Sequence, residues 1–472
     1  MPKDGGNRRR VAWQPLGIVQ SEQLSGAKLA MGSVEDARWD GLLNDQVKIT
    51  KFDCRDDISS FASIHCRCTF SRHWKSLRAP ARTARSVEEG EFMGPSMQRR
   101  AVLFALALGA FRYTQAAFAA SPIKIGMVAP LTGPGAESGR FQTQGARLAV
   151  DEINKAGGVL GQPLELVIED DQTTNPGVVL AFSKLAGNAD ITAFLGPIRS
   201  TQVHAMAPDV LKLGKPVMIG GTDPALTRTG NPWFFRCRPN DVYSARVIAD
   251  YGAKVLGKRK WAIVHSTDAF GTSGMKNLVE SLKGMGIEPV LVQGYPNNSQ
   301  DFTPVALAVK QSGADVMGTY MTFEPDQGIF AKQLRQLGVA PAWVGSPTTV
   351  TTTALKLAGP ALYGSYAVVD FNRDSSDAAK AFAAKYEAAY RSAPDIFGSW
   401  PYDAVHVLAR AIGEAKGLEP DKIRQAILAI NGYSGAEGTY KFDPNGDGLH
   451  GYNIVKNNNG TVVFDKHIEF DD

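Results

Sequence analysis

The chain has 472 residues, 44 % of them hydrophobic and 21 % charged, an ordinary soluble composition long enough for two or three domains. The net charge of +4 is unevenly spread: residues 1–119 hold 18 Lys and Arg against 12 Asp and Glu, and the remainder 33 against 35. The body is therefore slightly acidic, which excludes the basic stripe of a nucleic-acid binder.

Residues 97–119, MQRRAVLFALALGAFRYTQAAFA, have the parts of an export signal. Arg99 and Arg100 form the basic start, an apolar run covers 101–111, and Ala117-Phe118-Ala119 supplies the cleavage pattern. The run is too short to span a bilayer, and no cysteine at the cleavage position offers a lipid anchor. Residues 1–96 precede this signal and are expected to be a non-native or disordered extension. Cys54, Cys66 and Cys68, with His65 and His73 nearby, fit no standard zinc spacing. Cys237 is the only other cysteine, so the exported part relies on its core and not on a disulfide.

From Ile123 onward, apolar strands alternate with amphipathic helices. IKIGMVAPL is a predicted strand, and GARLAVDEINKAG is a helix stopped by Gly157-Gly158. LELVIEDD, VVLAFSKLAGN, ITAFLG, a helix from Ser200 and PVMIGG complete one parallel series. A second series begins at WAIVHSTD and runs through EPVLVQGY and ADVMGTYM to AWVGS, with helices between. Two long helices follow, DAAKAFAAKYEAAYRS and YDAVHVLARAIGEAKG, then a hairpin turning at Asn459-Gly460. The expected class is α/β, with two Rossmann-like lobes and a cleft between them.

Motifs for catalysis and cofactors fail on inspection. TGPGAESG is one residue too long for a dinucleotide fingerprint and has Pro134 in the turn. DPNGDG opens like a calcium loop, but Ile454 stands where a bidentate glutamate is needed, so a tight turn is expected. His204, His265, His406, His450 and His467 are scattered without ligand spacing. No catalytic residue, metal or cofactor is expected. The turn LGPIRSTQ is the most informative stretch, since it joins a strand end to a helix start, where free N–H groups favour an anion. Its Arg199 either meets such an anion or points to solvent.

SPIKIGMVAPLTGPGAESG, INKAGGVLGQPLELVIEDDQ, LGPIRSTQ and GGTDPALT together resemble the periplasmic leucine/isoleucine/valine-binding proteins, the substrate-binding components of ABC transporters. The resemblance runs from about Ser121 to the end. It implies the type I periplasmic binding fold, with three crossovers near 239–241, 369–371 and 447–450. Lobe one would be 120–240 plus 371–448, and lobe two 241–370 plus 449–472. It also implies a periplasmic monomer that closes on a small amino acid or organic acid and docks on a membrane permease. A periplasmic sensor feeding a signalling receptor is the alternative.

By the same resemblance, Pro197 to Ser200 with Gly220, Gly221 and Thr222 would hold a carboxylate, with Arg199 as a possible addition. Phe270 and Phe323 stand where the family has tyrosines, and Ser138 where a covering aromatic can occur. Pro347-Thr348 replaces the glutamate that meets an ammonium. A substitute acid would come from Asp223, Asp241, Glu324 or Asp403; otherwise the ligand is not an α-amino acid.

Overall fold

A computed structural model describes residues 121–470. The export signal at 97–119, the extension at 1–96 and its cysteines lie outside the described residues.

Five parallel strands make the first sheet, in the order β2-β1-β3-β4-β5. They are β1 (Ile123–Ala129), β2 (Leu164–Asp170), β3 (Ile191–Leu195), β4 (Val217–Ile219) and β5 (Phe234–Arg236). The chain order βαβ reads directly from the sequence alternation, because parallel neighbours need a crossover helix. Those helices are α1 (Ala136–Lys155), α2 (Asn175–Ala186) and α3 (Ser200–Leu213). Strand β3 is buried at all five positions, as expected of a parallel strand covered on both faces.

The second sheet has seven strands in the order β14-β13-β10-β9-β8-β6-β7. Its parallel part is β6 (Trp261–Ser266), β7 (Leu291–Tyr295), β8 (Val316–Tyr320), β9 (Ala342–Gly345) and β10 (Tyr366–Val369). Helices α4 (Asp241–Asp250), α5 (Ala269–Lys283), α6 (Thr303–Ser312), α7 (Glu324–Gln336) and α8 (Thr352–Ala358) belong to this half. The chain then returns to the first half with α9 (Asp377–Tyr390), α10 (Ile396–Ala415) and α11 (Pro420–Leu428). A two-stranded ribbon, β11 (Asn431–Ser434) with β12 (Thr439–Lys441), follows. The antiparallel pair β13 (Gly451–Asn458) and β14 (Thr461–Glu469) ends the chain on the second sheet. Asn459 and Gly460 turn that hairpin with φ of 52° and 96°, the two positive values its two-residue loop requires.

Apolar clusters cover both sheets, and one of them joins the two by including Ala367, Val369 and Val455 of the second sheet. Phe141, Phe382, Trp400 and Val405 lie in one cluster on the first sheet, and Phe182, Phe194 and Val210 in another. The second sheet carries Trp261, Leu278 and Tyr452 in one cluster, and Phe302, Phe330 and Trp343 in the other. Removing such side chains from water, at about 25 cal/mol per Å² of apolar area, is what holds each half together.

Between the halves the chain crosses after β5, after β10 and after β12. Buried ions tie these crossings to one another. Arg238 on the first meets Asp370 on the second. Asp447 on the third accepts from Arg236 Nε at 2.9 Å, Arg228 Nη1 at 3.0 Å, Thr227 Oγ1 at 2.9 Å and Asn240 Nδ2 at 3.0 Å. DPNGDG is thus a tight turn, with the Asp447 N–H donating to Asp443 Oδ1 at 2.8 Å, and its last aspartate braces the hinge.

Candidate functional site

The cavity between the sheets lies at the carboxyl ends of their parallel strands, where open α/β sheets present free loop backbone. Ile198, Arg199 and Ser200 come from the turn after β3, and Thr222 from the turn after β4. Across the gap, Phe270 opens α5, Thr322 and Glu324 follow β8, and Pro347 and Thr348 follow β9. Arg238 lines the hinge side, and Ile396 and Phe397 come from the start of α10. About 440 Å³ among these residues is free of atoms, part of it open to solvent.

Arg199 precedes the first turn of α3, and its side chain turns into the cleft. Its Cζ stands 4.6 Å from the centre of the Phe323 ring. Gly135 makes room for it, since a Cβ there would stand 2.6 Å from Nη2. Nε and Nη1 are buried and have no hydrogen-bond partner among the described residues. Opposite, Glu324 is 3 % exposed and its Oε1 also lacks a partner. Burial pushes this carboxyl above its usual range, and the Arg199 guanidinium only partly opposes the shift.

The hydroxyls around these charges are already oriented. Ser200 Oγ accepts the Asp223 N–H at 3.2 Å. Thr222 Oγ1 donates to Asp241 Oδ2 at 2.9 Å, which leaves its lone pairs for another donor. Thr348 Oγ1 donates to the Met321 carbonyl at 2.6 Å, and Thr322 Oγ1 to Asp268 Oδ2 at 2.6 Å. Arg238 is engaged by Asp370 and by the Gly220 carbonyl, the latter at 3.0 Å.

Of the residues singled out in the sequence, Arg199, Ser200, Thr222, Phe270 and Thr348 line this cavity together. Phe323 forms the ring face beneath Arg199. Four others do not reach the lining. Ser138 donates to the Gly135 carbonyl at 2.7 Å, and Gly220 and Gly221 pack against Trp400 and Leu226. Asp241 is buried between Thr222 and Ser244, and burial pushes its carboxyl up to about 7. Among the four acids weighed as substitutes, only Glu324 lines the cavity. Asp403 is instead occupied by the Ala436 and Glu437 N–H groups at 2.8 and 2.9 Å. Ile198 falls within the expected turn 197–200, whereas sequence reading missed Arg238, Thr322, Ile396 and Phe397. The N-cap at Asp395, whose Oδ1 accepts the Phe397 N–H at 3.0 Å, was a usable local signal for the last two.

A family model described as periplasmic binding protein matches residues 122–461. The leucine-, isoleucine-, valine-, threonine- and alanine-binding protein of Pseudomonas aeruginosa is 27 % identical over 357 residues, 75 % of this chain and 94 % of that one. The Leu/Ile/Val-binding protein BraC3 of Rhizobium johnstonii is 31 % identical over 64 % of this chain and 82 % of its own length. Among solved structures, the leucine-binding protein LivK of Thermotoga maritima superposes with a TM-score of 0.69 at 22 % identity, covering 74 % of this chain and 99 % of that one. An R. palustris solute-binding protein in complex with benzoate gives 0.68 at 20 % identity, covering 74 % and 98 %.

Proposed function

The chain belongs to the periplasmic binding protein family, and from that premise we propose that it captures a small amino acid for an ABC importer. The ligand carboxylate is received by Arg199 Nε and Nη1 with the Ser200 hydroxyl, while Thr222 Oγ1, whose proton goes to Asp241, keeps a lone pair for the ammonium. Its ammonium is received by Glu324 Oε1, and its side chain lies against Ile198, Phe270, Pro347, Ile396 and Phe397. Glu324 thereby takes the part that Pro347-Thr348 cannot play.

One observation carries this reading. Two side chains of opposite charge face a single cavity, and among the described residues each holds a buried polar atom with no hydrogen-bond partner. Buried charged atoms left without hydrogen bonds are poorly compensated, so a ligand that satisfies both gains from each contact. A zwitterion does so, whereas a simple organic acid leaves Glu324 unmatched. The fold itself is compatible with either class, since its solved examples include complexes with isoleucine and with benzoate.

We assign 120–240 plus 371–448 to the first lobe and 241–370 plus 449–472 to the second, in keeping with the strand membership of the two sheets. Residues 97–119 direct export, and a membrane permease receives the loaded protein. Binding proceeds by hinge closure, because contacts from both lobes are complete only when the lobes meet. The relatives are named as binding proteins, which supports capture without chemistry. Their names also favour import over the sensor reading.

Thermal unfolding of the full chain with L-leucine, L-phenylalanine and their desamino analogues tests the proposal. The amino acids are expected to raise the midpoint well above any rise from the analogues. Stabilisation by uncharged or purely cationic solutes alone would overturn the anion assignment.

A further inference from the structure

Beside the cavity, and sharing none of its lining residues, the two lobes touch through a second set of contacts. Thr201 Oγ1 on the first lobe accepts the Ala269 N–H of the second at 3.1 Å. Ser273 Oγ on the second lobe donates to Asp223 Oδ1 of the first at 2.9 Å. Both contacts join the start of α5 to the region where α3 begins and β4 ends.

Asp223 and the Ala269 N–H are set in place by their own lobes. The Asp223 carboxylate takes the Ala225 N–H on Oδ1 at 3.1 Å and has His204 Nε2 2.7 Å from Oδ2. It is therefore oriented before Ser273 arrives, and His204 acts as a positioning residue. Ala269 is the first residue of a helix capped by Asp268, so its N–H has no intrahelical acceptor. A hydroxyl from the opposite lobe satisfies it.

None of the atoms in these two contacts lines the cavity, and although Asp223 also gives its N–H to Ser200 Oγ, the contacts need no ligand atom to form. We infer that Thr201, Asp223, Ala269 and Ser273 form a ligand-independent latch that populates the closed form before a ligand binds. The inference rests on the two-lobed binding-protein reading, but not on the identity of the ligand. In such a protein the latch sets the closed fraction and the cavity sets selectivity. Raising the competent fraction tightens the apparent affinity for every ligand alike.

Hydrogen–deuterium exchange on the full chain, dialysed free of small molecules, tests this. In Thr201→Val, exchange in the second-lobe segment 267–275 is expected to rise about tenfold, the scale for losing a hydrogen bond that bridges two bodies. In Ser273→Ala, the rise is expected in the first-lobe segment 222–228. Strands β3 and β6 keep their protection in both, and Ser273→Thr, which retains the hydroxyl, behaves as the original chain. Unchanged exchange, or a rise confined to the lobe carrying the substitution, would overturn the latch. Ligand stabilisation in the thermal assay is a separate readout, so failure of the amino-acid assignment is distinguishable from failure here.

Discussion

Arg199 on one lobe lies over the ring of Phe323 on the other, with Cζ 4.6 Å from the ring centre. A cation held this way over an aromatic face gains about 0.5–1 kcal/mol when exposed and about 2 when desolvated. Nε and Nη1 have no hydrogen-bond partner among the described residues and remain for a ligand. One side chain thus joins the lobe contact to the anion capture proposed for it, and Phe323 carries no hydroxyl to compete for those N–H groups.

Replacing Arg199 is expected to weaken carboxylate binding selectively. Arg199→Ala should lose about 1.5–3 kcal/mol, the worth of a hydrogen bond to a charged group, or roughly ten- to a hundredfold in Kd. Arg199→Lys should recover only part of this, because an ammonium does not present a planar fork. Calorimetric titration with the best-stabilising amino acid of the thermal screen checks both.

Glu324 is expected to set the choice between amino acids and desamino acids. Glu324→Gln keeps the shape but removes the charge that an ammonium needs. The ratio of affinities for L-phenylalanine over 3-phenylpropionate should fall by roughly tenfold or more, on the scale of a charge-assisted contact. Equal losses for both ligands would assign Glu324 to packing alone.

Gly135 is expected to matter through space and not through its backbone. Its φ of −94° is open to any residue, yet an added Cβ would meet the Arg199 guanidinium. Gly135→Ala should displace the end of that side chain and weaken the ligand several-fold, at an overpacking cost of about 1 kcal/mol. The double variant with Arg199→Ala should show no further loss, which a double-mutant cycle reads directly.

The hinge brace predicts an acid dependence. Burial alone would raise the Asp447 carboxyl, but Arg236 and Arg228 outweigh it and hold its pKa below the ordinary 3.8. A carboxylate lowered in the folded state stabilises it fully above the unfolded value of about 3.9 and loses this as pH falls through the folded value. Asp447→Asn should therefore cost about 3–5 kcal/mol near neutral pH, since it leaves Arg236 buried without its partner. Its deficit relative to the original chain should shrink below pH 4. Thermal unfolding of both proteins across pH 3 to 7 checks the trend.

Strand and helix order were legible because their signals are local. The buried run of β3, the caps and glycine stops, and Asn459-Gly460 each act within a few residues, and their succession fixes a parallel-sheet topology. The position of the cleft followed, because strand ends in such sheets face it. Which side chains enter the cleft was not legible. Arg199 reads the same in sequence whether it meets solvent or a ligand; the empty space at Gly135, 64 positions earlier, and the ring of Phe323, 124 positions later, turn it inward. Asp241 and Glu324 were equal candidates as acids until folding gave Asp241 two hydroxyl partners and left Glu324 Oε1 with none. Periodicity determines what a residue packs on within its own element. The orientation of a polar side chain depends on which distant groups compete for it, and only the assembled lobes bring those groups within reach.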